Sequence, residues 1–372
     1  MTFLNYGKPV SLTQLQGGHY QVGQSGQQVQ LASRLIVKTA PQLSKEQLLR
    51  LDRQIIEVTL VYQMQTAAYF QLRFAANTDL QPHIERLSRH PQILLVQPDM
   101  LQLASKHGQK TLVNFQPDYI RALGINRLWE STKGKGVKVA VIDDGFQLDH
   151  EDLVGVKLNF GYDTNTRTLD PSPRHRLDVH GTQVVGVIFA QHNQIGINGI
   201  APQAELIAIR QPDTWTSKTL LSFYLTKLAK ADVLNCSWQS PMLLQPVEEV
   251  VRDLIKTGRG GKGMVVVFSA GNHGKALISR GGEGSIEGVV TVGSADRFGK
   301  PLTFSNYGQS VAVYTFGRGI KTTSNNKNKQ YVPFAGTSAS AALISGLSAL
   351  MLAKDPTMTL AQLKQNLAKL NP

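Results

Sequence analysis

From residue 137 onward the chain alternates short, nearly unbroken apolar runs with longer stretches of helical spacing. The runs are "VKVAVI" at 137–142, "AELIAIR" at 204–210, "ADVLNCSW" at 231–238, "GMVVVFSAG" at 263–271 and "GVVTVGSA" at 288–295. A strand with one wet face alternates apolar and polar residues, whereas a strand covered on both faces reads as a continuous apolar run. Covered strands separated by helices predict a mostly parallel sheet sandwiched between helical layers, a three-layer α/β architecture. In such sheets the reactive groups gather just past the carboxyl ends of the strands.

Residues 32–104 carry a different rhythm. A strand "ASRLIVKTA" precedes a helix opened by a Ser44-to-Gln47 capping box. Two strand-like runs follow, "IIEVTLVYQMQ" and "AAYFQLRFAA", then a second helix from Thr78 and a last strand "ILLVQPDMLQLA". That is the β-α-β-β-α-β order of a small ferredoxin-like α+β unit. Residues 1–31 read as a Gly/Gln-punctuated hairpin extension, and the polar "SKHGQK" at 105–110 as a linker. The expected organisation is therefore 1–31, 32–106 and 107–372.

At 372 residues and 41% hydrophobic content, the chain has enough material for one large core and one small one. No window approaches 18 consecutive apolar residues. The first residues lack a basic start followed by an apolar stretch, so the expectation is a chain without membrane segment or classical signal peptide, either cytoplasmic or exported by another route. A single cysteine, Cys236, excludes a disulfide framework and a cysteine-built metal cluster. The net charge of +13 invites a nucleic-acid reading, but the basic excess is spread over both halves and forms no Lys/Arg block of five or more. It is not interleaved with aromatics either, so a generally basic surface is the expectation and nucleic acid is not an expected partner.

Polar residues stand where the apolar runs end. Asp143 and Asp144 follow "VKVAVI", Asn235 follows "ADVL", and Gly271 and Asn272 follow "GMVVVFSA". His180 opens the small-residue stretch "HGTQVVGVIFA", and Ser338 opens "SASAALISGLSALML". Singly, each has an ordinary account: a turn aspartate, a capping histidine, a Thr-Ser helix start. Together they supply an acid, an imidazole, a side-chain amide and a hydroxyl.

Taken in order, "VAVIDDG", "HGTQVVG", "SAGN" and "GTSASA" resemble the four signature segments of the subtilisin-like serine proteases, peptidase family S8. "NGIAPQAEL" and "FSNYG" match intervening features. The order Asp, His, Ser is that of this family. The resemblance implies a subtilisin-like three-layer fold and a serine endopeptidase acting on protein or peptide substrates. Asp143 would orient His180, His180 would act as general base, Ser338 as nucleophile, and Asn272 as oxyanion donor. "VIDDG" and "NCSW" bring the kexin-like branch nearest in style. The 32–106 segment resembles the family's inhibitory prodomain, an intramolecular inhibitor removed by autoprocessing near Lys106.

The resemblance also implies a calcium site, with Asp152 and Asn193 as side-chain ligands and the carbonyls of Gln191, Ile195 and Ile197 completing an oxygen cage. Ser237 and Trp238 would border the substrate, and Glu283 would lie at the base of the pocket for the residue on the acyl side of the scissile bond, favouring Lys or Arg there. The chain departs from the pattern in three places. Ala339 and Ala342 stand where the family usually has Met and Pro; an Ala after the Ser is shared with the kexin-like branch, and the missing Pro is an expected disturbance of the start of the nucleophile helix. Gln239 replaces a Gly after the Ser-Trp pair. Pro241 occupies a second position that is acidic in kexin-like enzymes. These departures leave a second reading, a catalytically inactive peptide-binding relative.

Overall fold

The computed structural model describes residues 1–102, 119–326 and 329–370. It falls into two compact units. The first gathers the described part of Met1–Ala104 with Asp213–Tyr224 and Ser240–Val250, and the second the described parts of Ser105–Pro212, Leu225–Gln239 and Val251–Pro372.

The leading residues form β1 (Thr2–Asn5), β2 (Lys8–Gln14), β3 (His19–Val22), β4 (Gln28–Thr39), α1 (Lys45–Leu51), β5 (Glu57–Gln63), β6 (Ala68–Arg73), α2 (Gln81–Ser88) and β7 (Ile93–Gln102). From β4 onward this is the expected β-α-β-β-α-β order. Strand β4 pairs with β6 and β7, and β6 with β5, all antiparallel. The Ser44–Gln47 capping box forms as anticipated at the start of α1. Helix α2 begins at Gln81, not at Thr78. The Thr78 hydroxyl donates to the Ala75 carbonyl and Asp79 accepts from the Gln81 amide, so these polar side chains hold a turn ahead of the helix. The boundary expected between residues 31 and 32 falls inside β4. Strands β1 to β3 continue the same sheet through β4, so residues 1–31 are not a separate extension. Asp99, wholly buried, accepts from the Ser217 amide (2.9 Å) and hydroxyl (2.8 Å) and pairs with Arg34 (2.8 Å), which satisfies a charge that would otherwise be costly to bury.

The remaining elements are α3 (Tyr119–Ala122), α4 (Ile125–Trp129), β8 (Lys138–Asp143), β9 (Lys157–Asp163), α5 (His180–Phe189), β10 (Glu205–Arg210), α6 (Thr216–Leu228), β11 (Val233–Cys236), α7 (Gln245–Thr257), β12 (Val265–Ser269), β13 (Val290–Ala295), β14 (Val313–Phe316), β15 (Ile320–Asn326), β16 (Lys329–Phe334), α8 (Thr337–Lys354) and α9 (Leu360–Ala368). Seven strands form one sheet in the order β14-β13-β12-β11-β8-β10-β9, and every pairing in it is parallel. Strands β11, β12 and β13 are buried at every position, as their continuous apolar runs require. Strand β9 escaped the sequence reading because it is an edge strand with three exposed residues and no apolar run.

Helix α8 packs against α5 and across β11 to β14. It is long and apolar enough to cross a membrane by length and composition, yet most of it is buried within the fold. A helix that is apolar on all sides is here a core helix. The absence of Pro at 342 does not disturb its start: the helix runs unbroken from Thr337, with Ala339 and Ala342 wholly buried.

Candidate active site

Strand β8 delivers Asp143 to its carboxyl end, fully buried, and the neighbouring β10 fixes it in register through Arg210. Its two carboxylate oxygens lie 3.0 and 2.9 Å from His180 Nδ1. The second aspartate has a separate task. Asp144 accepts from the backbone amides of His180 (3.2 Å) and Gly181 (2.8 Å), so its charge caps the N-terminus of α5. A carboxylate holding Nδ1 fixes one tautomer and leaves Nε2 as the basic face of the ring. Gly181 is required at this junction, since a Cβ there would strike the Gly145 carbonyl and come within 3.0 Å of Asp143 Cβ.

Ser338 occupies the first turn of α8, where backbone amides lack intrahelical acceptors. Its hydroxyl donates to the Ser237 carbonyl at 3.0 Å, and the Ser237 hydroxyl donates to the Ser338 carbonyl at 3.1 Å. Behind them Asn235 donates to the Ser237 hydroxyl (2.9 Å) and accepts from Ser345 (2.9 Å), tying the end of β11 to α8. Asn272 Oδ1 accepts from both the amide (2.9 Å) and the hydroxyl (3.0 Å) of Thr337. Because that oxygen faces a backbone donor, the other amide atom is the nitrogen, and both lie beside Gly336. The amide donor thus stands next to the first turn of the helix that carries Ser338.

A network not read from the sequence supports the histidine. Arg210, buried, reaches Asp163 at 3.1 Å and Asp178 at 2.6 Å, and Asp178 in turn accepts from the amides of Arg174 and His175. Burial works to raise the Asp163 carboxyl, but the amides of Asn165 and Thr166 and the Arg210 guanidinium outweigh it and hold the group below the usual carboxylate range. The segment entering His180 is therefore anchored by charge. Only the Asp178 position, two residues before His180, hinted at it in sequence.

Three expected substrate contacts fare differently. Ser237 is buried beside Ser338 as described. Trp238 is not a substrate-facing side chain: it is buried, its indole nitrogen donates to the Ile142 carbonyl at 3.0 Å, and its ring meets Phe268 edge-on at 5.6 Å. Glu283, in a short 3-10 turn at 283–285, is 2% exposed and so is not a solvated surface residue. Lys106 lies outside the described residues.

At the expected calcium site Asp152 is fully buried. Its Oδ2 accepts from the Ile197 amide at 2.9 Å, while Oδ1 is buried with no hydrogen-bond partner among the described residues. Burial, the strongest influence, pushes its carboxyl above the usual range. Asn193 Oδ1 accepts from the Ile195 amide at 3.0 Å. The Gln191 side chain donates to the Phe189 and Pro202 carbonyls, which leaves its backbone carbonyl for any ligand role. Among the described residues no group of three or more His, Cys, Asp or Glu side chains could hold a metal. An unpartnered buried carboxylate oxygen in a loop of amide and carbonyl oxygens fits a hard cation that prefers oxygen donors.

Comparison with known proteins agrees with the fold and the motifs. The model of the subtilase family, peptidase S8, matches residues 134–369, well over half of the chain. The chain belongs to the subtilase family. This subtilase is 34% identical over 229 residues to a thermophilic serine proteinase of Bacillus sp. (strain AK1), covering 60% of the present chain and 54% of that protein. It is 30% identical over 275 residues to the calcium-dependent protease of Nostoc sp. (strain PCC 7120 / SAG 25.82 / UTEX 2576), covering 63% and 41%. With the kexin of Candida albicans (strain WO-1) it shares 31% identity over 258 residues, covering 64% and 27%. The subtilase chain spans about half or less of these relatives. Among solved structures, fervidolysin from Fervidobacterium pennivorans shares the fold over 95% of this chain and 57% of its own, with a TM-score of 0.71 at 20% identity.

Proposed function

We propose that this subtilase is a serine endopeptidase in which Ser338 attacks the scissile carbonyl, His180 takes its proton, and Asp143 holds the imidazole. The observation that carries this reading is the pair of 2.9 and 3.0 Å approaches between the buried Asp143 carboxylate and His180 Nδ1. A buried carboxylate bound to Nδ1 is what turns an imidazole into a single-tautomer base. The Ser338 hydroxyl, resting on the Ser237 carbonyl, becomes nucleophilic as His180 Nε2 removes its proton, and the same proton then passes to the leaving amine. Asn272 and the Ser338 amide would donate to the oxygen of the tetrahedral intermediate. A side-chain donor of this kind is worth about 2.7–4 kcal/mol of barrier, the value measured in subtilisin itself. The inactive peptide-binding reading loses its main support, because Ala339 and Ala342 leave the nucleophile helix intact.

The leading residues act, in this reading, as an inhibitory prodomain removed by the enzyme near Lys106. N-terminal sequencing of the purified wild-type chain tests this. A new N-terminus close to residue 107 is expected, and a chain that stays intact under conditions in which it cleaves added peptides would contradict it.

Asp152 and Asn193, with the carbonyls of Gln191, Ile195 and Ile197, would hold a calcium ion. When bound, the ion would neutralise the buried Asp152 carboxylate and brace the loop before Gly199. A cation bound only by the native state stabilises by about 2.7 kcal/mol at a hundredfold excess over its dissociation constant. EDTA is therefore expected to lower the thermal midpoint of the wild type and to leave that of Asp152→Ala unmoved. Superimposable wild-type melting curves with and without chelator would remove the ion from the account.

A further inference from the structure

Gln239 is the residue whose placement the proposed chemistry does not use. The parallel register of β11 and β12 pairs Cys236 with Phe268, and continuing it past the sheet sets Gln239 opposite Gly271. These two extensions flank the reaction centre: one carries the Ser237 carbonyl that receives the Ser338 hydroxyl, the other carries Asn272. Gln239 reaches from the first to the second. Its Nε2 donates to the Ala270 carbonyl at 3.0 Å, and its Oε1 lies 3.5 Å from where a Cβ on Gly284 would stand, next to the buried Glu283. Gly271, at φ +96°, has no room for a side chain because the Gln239 amide nitrogen occupies that place. The residue is 7% exposed, and its Oε1 is buried with no hydrogen-bond partner among the described residues.

A substrate whose carbonyl carbon lies near Ser338 Oγ, with its oxygen turned to Asn272, is bordered by both extensions, one holding the Ser338 hydroxyl and the other carrying Asn272. We propose that Gln239 is a specificity-determining residue: its carboxamide fills the recess between 237–239 and 270–272, so that the wild type favours small acyl-side residues such as Ala or Ser over long or bulky ones. The inference rests on the endopeptidase reading above and makes the basic preference expected from Glu283 conditional, since the amide stands between the reaction centre and the Gly284 turn. The closure is held by one hydrogen bond to an oxygen that Asn306 also occupies at 2.9 Å, so removing the amide leaves Ala270 O paired. With Gly at 239 the recess opens toward Glu283 and admits a long cationic side chain.

The test uses the full chain after maturation and a set of peptides differing only in the acyl-side residue, Ala, Phe or Lys, with active sites counted by fluorophosphonate titration. Wild type is expected to favour Ala over both Lys and Phe in kcat/KM by about tenfold or more. Gln239→Gly is expected to cut the Ala-to-Lys ratio by about tenfold, and Gln239→Leu, which keeps the bulk and removes the amide, to retain the Ala preference. A titratable wild type that cleaves Lys or Phe peptides as well as Ala, or a Gln239→Gly enzyme with an unchanged profile, overturns this inference alone. A wild type that takes up no probe overturns it together with the endopeptidase reading.

Discussion

Asp143→Asn is expected to fold as the wild type does and to lose about 10⁴ in kcat near neutral pH. The carboxylate faces His180 Nδ1 with both oxygens and is fully buried, so it fixes the proton on that nitrogen and stabilises the imidazolium that forms during attack. An amide of the same shape can present its NH2 to Nδ1, which makes Nδ1 the acceptor and moves the ring proton to Nε2. The imidazole then faces the serine with a proton it cannot exchange for another. Because the Asp144 amide needs only an acceptor at this position (2.8 Å), the strand-to-helix turn keeps its shape. The loss should fall on kcat with KM little changed, as only the transition state is affected. Steady-state kinetics with matched circular dichroism checks this, and a variant within about tenfold of wild type would mean that Asp143 is not the orienting acid.

Ser338→Ala is expected to show the larger effect, on the order of 10⁶ in kcat, a scale set by the equivalent change in subtilisin, a member of the same family. The hydroxyl donates to the Ser237 carbonyl, while the reciprocal bond from Ser237 to the Ser338 carbonyl survives the substitution. Ala is also the best helix former, and the position lies in the first turn of α8, so the fold should be retained. The variant should also remain full length where the wild type is cut near Lys106. Peptide hydrolysis and the mass of the purified chain read the two consequences independently. A variant that still matures unaided would place the nucleophile elsewhere.

Much of this architecture was legible because covered parallel strands advertise themselves as unbroken apolar runs. Asp143, His180, Asn272 and Ser338, the proposed site residues, each stand next in sequence to the element that positions them. What escaped was set by distant partners. Asp144 reads as half of a pair with Asp143, yet its acceptors are spent on the amides of residues 180 and 181. Trp238 looks like a substrate wall until its indole nitrogen is found donating to the Ile142 carbonyl. The Arg210 network joins residues from three separate stretches, which no local period encodes. Strands β15 and β16 form a two-stranded antiparallel pair of mixed composition, and β4 crosses a boundary drawn from glycine and glutamine content, because strand pairing outweighs local propensity.

The central claim, that Ser338 is an activated nucleophile, is tested most directly by a fluorophosphonate probe followed by peptide mapping of the labelled chain. The probe reacts with a serine whose proton a neighbouring base removes, and ordinary surface hydroxyls stay silent. A single adduct on Ser338 in wild type, absent from Ser338→Ala and slowed strongly in Asp143→Asn, is the expected result. A folded wild type that takes up no probe, or an adduct that persists in Ser338→Ala, would contradict it.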